Sequence, residues 1–309
     1  MEDNNHMMNT KLFIEKNQKL FLPASIVIAS VILSVTWLYV EKIDSKTGSI
    51  IETKRALAMV DMEEIAPKEG ITLPIVWGDL GAKMVEAGVI DKQKFDVLYS
   101  ERGGLTPDQN KLVYGDKNGK LVITRENSGV LLNLLWAFGL GNKNEILDSG
   151  PIKDPRFGGA DKFASTGGWT LSNGNPMDHY SKHAFVVLTE NQQLLVNKIA
   201  STIFRPCCDN PTHFPDCNHG MAMLGLLELM ASEGVGEDEM YRVALEVNSY
   251  WFPENYQTVA TFISRSGTEW KTINPKDILG PNFSSGSAYA RIVSELNPEE
   301  HKGGANCGA

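Results

Sequence analysis

The uncharged segment from Leu20 to Val40 constrains the fold more than any other part of the chain. It contains no Asp, Glu, Lys or Arg. As a helix of about 21 residues, rising about 1.5 Å per residue, it would be about 31 Å long, which is the thickness of the hydrocarbon core of a bilayer. Trp37 and Tyr39 lie near its end, where amphipathic rings favour the membrane interface. We therefore predict a single transmembrane helix over residues 20–40, with the lipid bilayer as a partner.

A cleaved signal peptide is the competing interpretation of this segment. It is less favoured, because the apolar run is longer than a typical signal core and residues 36–41 contain no small-x-small cleavage site. Lysines flank the segment on both sides, so the charge rule is nearly balanced. A helix this close to the amino terminus is typical of a signal anchor. We expect a short polar tail (1–19) inside and a large domain outside the cytoplasmic membrane of a bacterial envelope.

The acidic balance of the chain argues against nucleic acid as a partner. The formal net charge is -9, and the charges within residues 1–40 cancel, so the whole excess lies on residues 41–309. Affinity for nucleic acids comes mainly from Lys and Arg that neutralise phosphates. An acidic body of this kind is repelled by phosphates instead.

Beyond the predicted anchor, the sequence indicates a mainly α-helical protein with one small β-hairpin. Residues 41–69 are polar and predict a stalk, residues 70–300 predict the folded domain, and residues 301–309 predict a flexible tail. Apolar residues at helical spacing predict helices at 77–89, 91–99, 129–140, 190–204, 217–233, 237–251, 254–264 and 287–296.

Two further segments lie between the predicted helices. The turn sequence at 116–119 predicts a β-hairpin with strands at 111–114 and 121–124. Residues 148–178 are rich in Gly, Pro, Ser and Asn and predict a long irregular segment, which Phe163 and Trp169 would pin to the core.

The reactive residues concentrate in one loop between two predicted helices. Cys207, Cys208 and Cys217 are three of the four cysteines of the chain, and His219 follows two residues later. Thiolates and imidazoles are the ligands that zinc and Cu(I) prefer. Three prolines at 206, 211 and 215 stiffen the loop. The sequence therefore predicts a site for one metal ion, zinc or Cu(I), with these four residues as ligands.

The fourth ligand is less certain than the three thiols. Residues two apart in a regular helix point in nearly opposite directions, so Cys217 and His219 share an ion only if the helix entry is irregular. Asp216 is the predicted cap of that helix, with Cys217 in its first turn. His213 and the distant Cys307 compete for the same place.

Two other functions remain open for the cysteine loop. A disulfide between Cys217 and either Cys207 or Cys208 would stabilise a scaffold protein without further chemistry. A pair of these thiols would alternatively perform thiol-disulfide exchange in the envelope. The sequence assigns no catalytic residue and favours a non-enzymatic role.

His179 and His183 form a second candidate pair of metal ligands, because residues four apart share one face of a helix. A chance pair is the favoured interpretation, since the segment lacks the Glu of a zinc protease motif. Glu228 lies in an otherwise apolar helix and would need a partner if it is buried.

The segment from Ile199 to Met240 carries a resemblance to a known family. It has adjacent cysteines after a helix, a further cysteine before His219-Gly220, and an acidic stretch at 237–240. In these features it resembles the PCYCGC-motif proteins of bacterial envelopes, which have no established activity. The resemblance implies an extracytoplasmic, thiol-rich segment for metal or redox chemistry. Together these observations predict a membrane-anchored protein that binds, senses or delivers a metal ion.

Overall fold

The computed structural model describes residues 59–296, and these form a mainly helical unit with one small sheet. The first half contains α1 (Met62–Ile65), β1 (Ile71–Gly78), α2 (Leu80–Glu86), α3 (Lys92–Ser100), α4 (Pro107–Tyr114), β2 (Asn118–Ile123), α5 (Ser128–Gly141) and α6 (Glu145–Ser149). The second half contains α7 (Glu190–Ala200), α8 (Asn218–Ser232), α9 (Glu237–Trp251), α10 (Pro253–Ser264), α11 (Pro275–Ile278), α12 (Pro281–Ser284) and α13 (Gly286–Leu296).

The prediction of a transmembrane anchor needs correction. No helix within residues 59–296 is long and apolar enough to cross a membrane. The segment 20–40, on which the prediction rested, lies outside the described residues. The fold class is therefore restated as a mainly helical unit with a two-stranded sheet, without the anchor, and the single-pass membrane location is not retained.

The two strands pair antiparallel, but they do not form the predicted hairpin. β1 pairs with β2 in a register that matches Ile71 with Ile123 and Gly78 with Asn118. Three helices separate the strands along the chain. The predicted first strand at 111–114 is part of α4, because Thr106 and Gln109 form a reciprocal capping box and Pro107 occupies the first helical turn.

The same pairing explains why the first predicted helix began too early. Residues Leu73, Ile75 and Trp77 alternate with more exposed neighbours and are fully buried on one face of β1. The helical spacing after Trp77 belongs to α2, which starts only at Leu80. A strand end followed closely by a helix produced one continuous helical pattern in the sequence.

Helix α8 lies at the centre of the core and carries the functional loop at its amino end. Every residue from Gly220 to Ala231 is buried. It packs directly against α5 because both helices have glycine at the crossing: a Cβ on Gly139 would lie 2.3 Å from the carbonyl oxygen of Met221. A Cβ on Gly225 would lie 2.6 Å from that of Leu135. The close contact gives the loop a rigid support.

The long irregular segment is pinned to the core as the sequence predicted. The indole N–H of Trp169 donates to the carbonyl of Val89 at 2.8 Å, and its ring packs against Trp136 with 4.7 Å between centroids. Phe163 packs edge-to-face against Phe214 of the cysteine loop. This segment therefore covers one side of the loop.

Candidate metal centre

The cysteine loop connects α7 to α8. Backbone hydrogen bonds join it to the end of α7 and to the start of α13. The N–H of Thr212 donates to the carbonyl of Ile203 at 2.8 Å, and the N–H of His213 donates to that of Ala200 at 2.9 Å. Near the other end of the chain, the N–H of Gly286 donates to the carbonyl of Cys208 at 3.0 Å. The loop is thus held between three helices, α7, α8 and α13.

The three loop cysteines bring their sulfur atoms together without forming a disulfide. Sγ of Cys207 lies 3.5 Å from Sγ of Cys208 and 3.7 Å from Sγ of Cys217, and all three sulfurs lie within 4.8 Å of one another. All three cysteines are free. Cys207 is exposed, whereas Cys208 and Cys217 are half-buried. These three thiols could hold a metal ion, and the cluster opens to solvent at Cys207.

The spacing of the sulfurs matches that of a zinc-thiolate site. Two thiolates bound to one zinc ion at about 2.3 Å, at a tetrahedral angle, lie about 3.8 Å apart. The separations of 3.5 and 3.7 Å in the cluster are close to this value. An ion would thus be held with little movement of the loop.

A buried arginine, Arg205, contacts the cluster from the protein interior. Its side chain is 1% exposed, and its Nε–H donates to Sγ of Cys217 at 3.0 Å. One terminal nitrogen, Nη2, donates to Oδ1 of Asp216 at 2.6 Å and to Oδ1 of Asn210 at 2.7 Å. Nη1 donates to the carbonyl of Asn210 at 3.0 Å. The guanidinium therefore links Asn210 and Asp216 to the sulfur of Cys217.

These contacts favour a negative charge on Cys217 over one on Cys207 or Cys208. Its hydrogen bonds with Cys207 and Cys208 hold the pKa of the Cys217 thiol well below its ordinary value, and His219 and the charge of Arg205 act in the same direction against burial. The contacts of Cys207 with Cys208 and with Cys217 raise the pKa of the Cys207 thiol. For Cys208, the contact with Cys207 lowers the pKa, but the contact with Cys217 and burial outweigh it and raise the value to about 12. Of the three sulfurs, Cys217 is therefore the one that releases its proton most readily.

Cys217 caps α8 in place of the predicted Asp216. It has extended backbone angles, φ -117° and ψ 164°, and its sulfur accepts the N–H of Gly220 at 3.3 Å. Asp216 is committed to Arg205 and Asn210 instead. Because Cys217 stands outside the helix, the irregular entry that a joint Cys217 and His219 site requires is present.

His219 lies beside the three sulfurs, and its contact with Cys217 helps to lower the pKa of that thiol. Its ring packs against Phe252, with 4.3 Å between centroids, and against Trp251. The described contacts include no hydrogen bond of good geometry from a ring nitrogen to Cys217 or to another sulfur, and the group of three sulfurs excludes it. His219 remains a predicted fourth ligand.

The structure places the other predicted loop ligand away from the sulfurs. The half-buried His213 borders a surface groove with Ser149, Lys153 and Asp154, and burial lowers the pKa of its ring. It is not among the residues whose ligand atoms meet in the cluster. Cys307 lies outside the described residues.

His179 and His183 are brought together, but not on a helix. A 3₁₀ turn over Pro176–Asp178 precedes them, and Ser181 between them has a positive φ of 52°. Nδ1 of His179 and Nε2 of His183 lie 3.2 Å apart, and Nε2 of His179 bonds the carbonyl of Asn173 at 2.9 Å. These rings hold one another and the backbone.

Glu228 is fully buried in the middle of α8 and is not near an arginine. The amide of Asn142 donates to its Oε2 at 2.5 Å. Burial raises the pKa of Glu228 well above the usual carboxyl value, which favours the neutral carboxyl in the core. It is a polar contact of the core and does not join the sulfur cluster.

Sequence reasoning missed Arg205 and Asn210 as parts of the site. Arg205 immediately precedes Pro206 and Cys207, and the only available signal was a cation next to a cysteine run. That signal does not show whether the cation points inward.

Comparison of the chain with protein-family models, curated proteins and solved structures found no match in any of the three. The resemblance to the PCYCGC-motif proteins therefore stays a prediction. The function has to be inferred from the site itself.

Proposed function

We propose that this protein binds one thiophilic metal ion through Cys207, Cys208 and Cys217. The observation that carries the proposal is the convergence of three free sulfurs within 4.8 Å of one another. Sγ of Cys207 lies 3.5 and 3.7 Å from the other two, close to the spacing of ligands on a single zinc ion. The lowered pKa of Cys217 favours its thiolate, which is the form that binds metals. Zinc fits this spacing, and Cu(I) is the alternative ion of the same ligand preference.

The position of the cluster supports reversible binding in sensing or delivery. Cys207 is exposed, so an incoming ligand can reach the ion from solvent. The core of α5 and α8 is formed by apolar side chains that do not depend on the loop. We therefore expect the metal-free protein to remain folded, unlike a small zinc-dependent domain.

The test is metal analysis of the full chain, with single Cys207→Ser, Cys208→Ser and Cys217→Ser variants. Wild type should hold about one metal ion per chain and show free thiols only after the metal is removed. Each of the three variants should lose it. Metal-free wild type that cannot be reloaded with zinc or Cu(I) under reducing conditions contradicts the proposal.

Two more variants decide the fourth ligand. Cys307 follows the last described residue of α13, Leu296, by eleven positions, and a chain of this length spans at most about 40 Å. His219→Ala and Cys307→Ser therefore test the two remaining candidates in the same assay. His213→Ala is the matched control, because this ring faces the groove at Asp154.

Thiol-disulfide exchange is the second candidate function. The specific observation for it is the Cys217 thiol, whose pKa is lowered, at 3.7 Å from the exposed thiol of Cys207. The two would form a disulfide while a partner disulfide takes up two electrons and two protons. Metal-free protein with a Cys207–Cys217 bridge that mild reductant opens would favour this function over metal binding.

A further inference from the structure

The hydrogen bonds at Cys217 distinguish this sulfur from its two neighbours. Its Sγ accepts the Nε–H of Arg205 at 3.0 Å and the backbone N–H of Gly220 at 3.3 Å. Within residues 59–296, Sγ of Cys207 and Sγ of Cys208 accept no hydrogen bond from a nitrogen. Two N–H groups thus point at one member of the cluster.

The hydrogen bonds and the burial of Arg205 fix its guanidinium beside Cys217. Four of its five N–H groups are engaged by Cys217, Asn210 and Asp216, and its side chain is almost completely buried, so little remains for an external anion. Residue 220 must be glycine for the guanidinium to lie here. A Cβ on Gly220 would be 2.7 Å from Cζ and from Nη2 of Arg205.

We propose that Arg205 is a positioning residue of the metal site, which, with the Gly220 N–H, commits Cys217 to one ion as a hydrogen-bonded terminal ligand. A thiolate sulfur has three lone pairs, and the two N–H groups occupy two of them. One lone pair is left for the metal, where the contact with the Cys207 thiol now lies. Cys217 therefore does not bridge two ions, and the site takes a single ion in preference to a polynuclear thiolate cluster.

This inference rests on the proposed metal binding, and its test uses the full chain loaded with Co²⁺ as a stand-in for Zn²⁺. A hydrogen bond to a bound thiolate lowers the energy of the sulfur electrons, which sets the position of the sulfur-to-cobalt charge-transfer band. Wild type should bind one Co²⁺ per chain. Binding of several Co²⁺ or Cu(I) ions per chain at the three thiols overturns the inference.

Two variants remove the contact in different ways. Arg205→Met combined with Asp216→Asn deletes both charges together, so that neither is left buried and unpaired. Gly220→Ala keeps every donor and only displaces the guanidinium. Both should show the charge-transfer band shifted to lower energy and the zinc affinity reduced about tenfold to a hundredfold, the usual effect of losing a hydrogen bond to a metal ligand.

Controls separate positioning from folding. Arg205→Lys keeps the charge and one donor, and should recover part of the band position. Arg242→Met removes an arginine that pairs with Glu239 and Glu246 on α9, and should change neither readout. If the double variant does not fold, Gly220→Ala decides, because it removes no charge and no hydrogen-bond donor.

The outcomes distinguish the two proposals. Wild type that binds neither Co²⁺ nor Zn²⁺ removes the proposed function and this inference with it. Wild type that binds one ion, together with Arg205 and Gly220 variants of unchanged band and affinity, overturns only the role of Arg205.

Discussion

The cysteine loop and the histidine pair place potential metal ligands equally close together, yet they differ in what their ligand atoms are doing. In the loop, three sulfurs lie within 4.8 Å of one another, and Cys207 is exposed to solvent. In the histidine pair, two ring nitrogens lie 3.2 Å apart, but His179 uses its other nitrogen on the carbonyl of Asn173.

The difference lies in the number of lone pairs. A neutral imidazole has one nitrogen that accepts and one that donates. Nε2 of His179 donates to Asn173, so its contact with His183 uses Nδ1, the accepting nitrogen of His179 that a metal would need. A thiolate keeps a lone pair for a metal even when two N–H groups bond to it, as they do at Cys217. Proximity alone does not define a metal site, because free electron pairs are also needed.

The comparison predicts that thiol substitution has the largest effect of any change considered. Cys217→Ser should reduce zinc affinity by well over the roughly hundredfold loss typical of a supporting residue, because it removes a ligand. His179→Ala combined with His183→Ala should leave zinc affinity unchanged. Isothermal titration with competing chelator measures both. Loss of zinc in the histidine variant would show that the two regions act together.

Metal binding should also depend steeply on pH. The neighbouring sulfurs and burial raise the pKa of Cys207 and of Cys208, so both must release a proton to bind, whereas the lowered pKa of Cys217 favours its thiolate beforehand. Each released proton weakens binding tenfold per unit of falling pH, so zinc affinity should fall about a hundredfold from pH 8 to pH 7. Titrations in buffers of different ionisation enthalpy count the protons directly. A count near zero contradicts the assignment of two protonated thiols.

The histidine pair should contribute to stability rather than to binding. His179 is buried, and His179→Ala removes its hydrogen bonds to Asn173 and His183. We expect a loss of about 1 to 3 kcal/mol in the free energy of unfolding. Urea denaturation of metal-free protein measures it, with Cys208→Ser as the matched control for a half-buried residue outside the pair. Equal stability of His179→Ala and wild type would contradict the structural role.

The smallest expected effect is the pH dependence of stability from the same pair. Burial, and then the neighbouring His179, lower the pKa of His183 below its ordinary 6.5. The unfolded chain therefore takes up a proton before the folded one, and stability present above pH 6.5 is lost as pH falls through the lowered value.

The loss should remain below about 1 kcal/mol, because solvent screens a partly exposed ring. Burial lowers the pKa of His213 in the same way, so the comparison is between His183→Gln and His183→Gln with His213→Gln. Urea midpoints from pH 7.5 to pH 5 should fall less steeply with each substitution. A slope that neither substitution changes would show that other groups control the acid limb.

The five longer helices of the second half were predicted to within a few residues of their bounds, because their signals are local, whereas the four-residue helices α11 and α12 were not predicted. The predicted 237–251 matches α9, and the predicted 254–264 starts one residue after the observed Pro253 of α10. Apolar spacing and end signals act within a few turns of chain. The predicted hairpin at 111–124 was wrong, because the partner of β2 lies at 71–78. Strand pairing over such a distance leaves no mark in either segment alone.

The sequence predicted the three cysteines of the candidate site but not the residues that hold them, Arg205 and Asn210. The three cysteines were identified from their soft donors and short spacing, and the structure brings those three together. The cap of α8 was assigned to Asp216, but this carboxylate pairs with Arg205 at 2.6 Å and leaves the cap to Cys217. A side chain that can both cap a helix and bind a buried guanidinium follows the stronger, charged interaction.

The sequence by itself determined a helical fold, a proline-stiffened loop and a concentration of thiols between α7 and α8, since all of these depend on residue type and short-range spacing. Only the tertiary structure decided that Cys207, Cys208 and Cys217 converge while His213 turns away, and that Arg205 points inward to Cys217. The physical reason is that direction depends on contacts between distant segments. The glycine crossing of α5 with α8 and the bond from Gly286 to Cys208 position the loop, and residues far apart in the chain supply both.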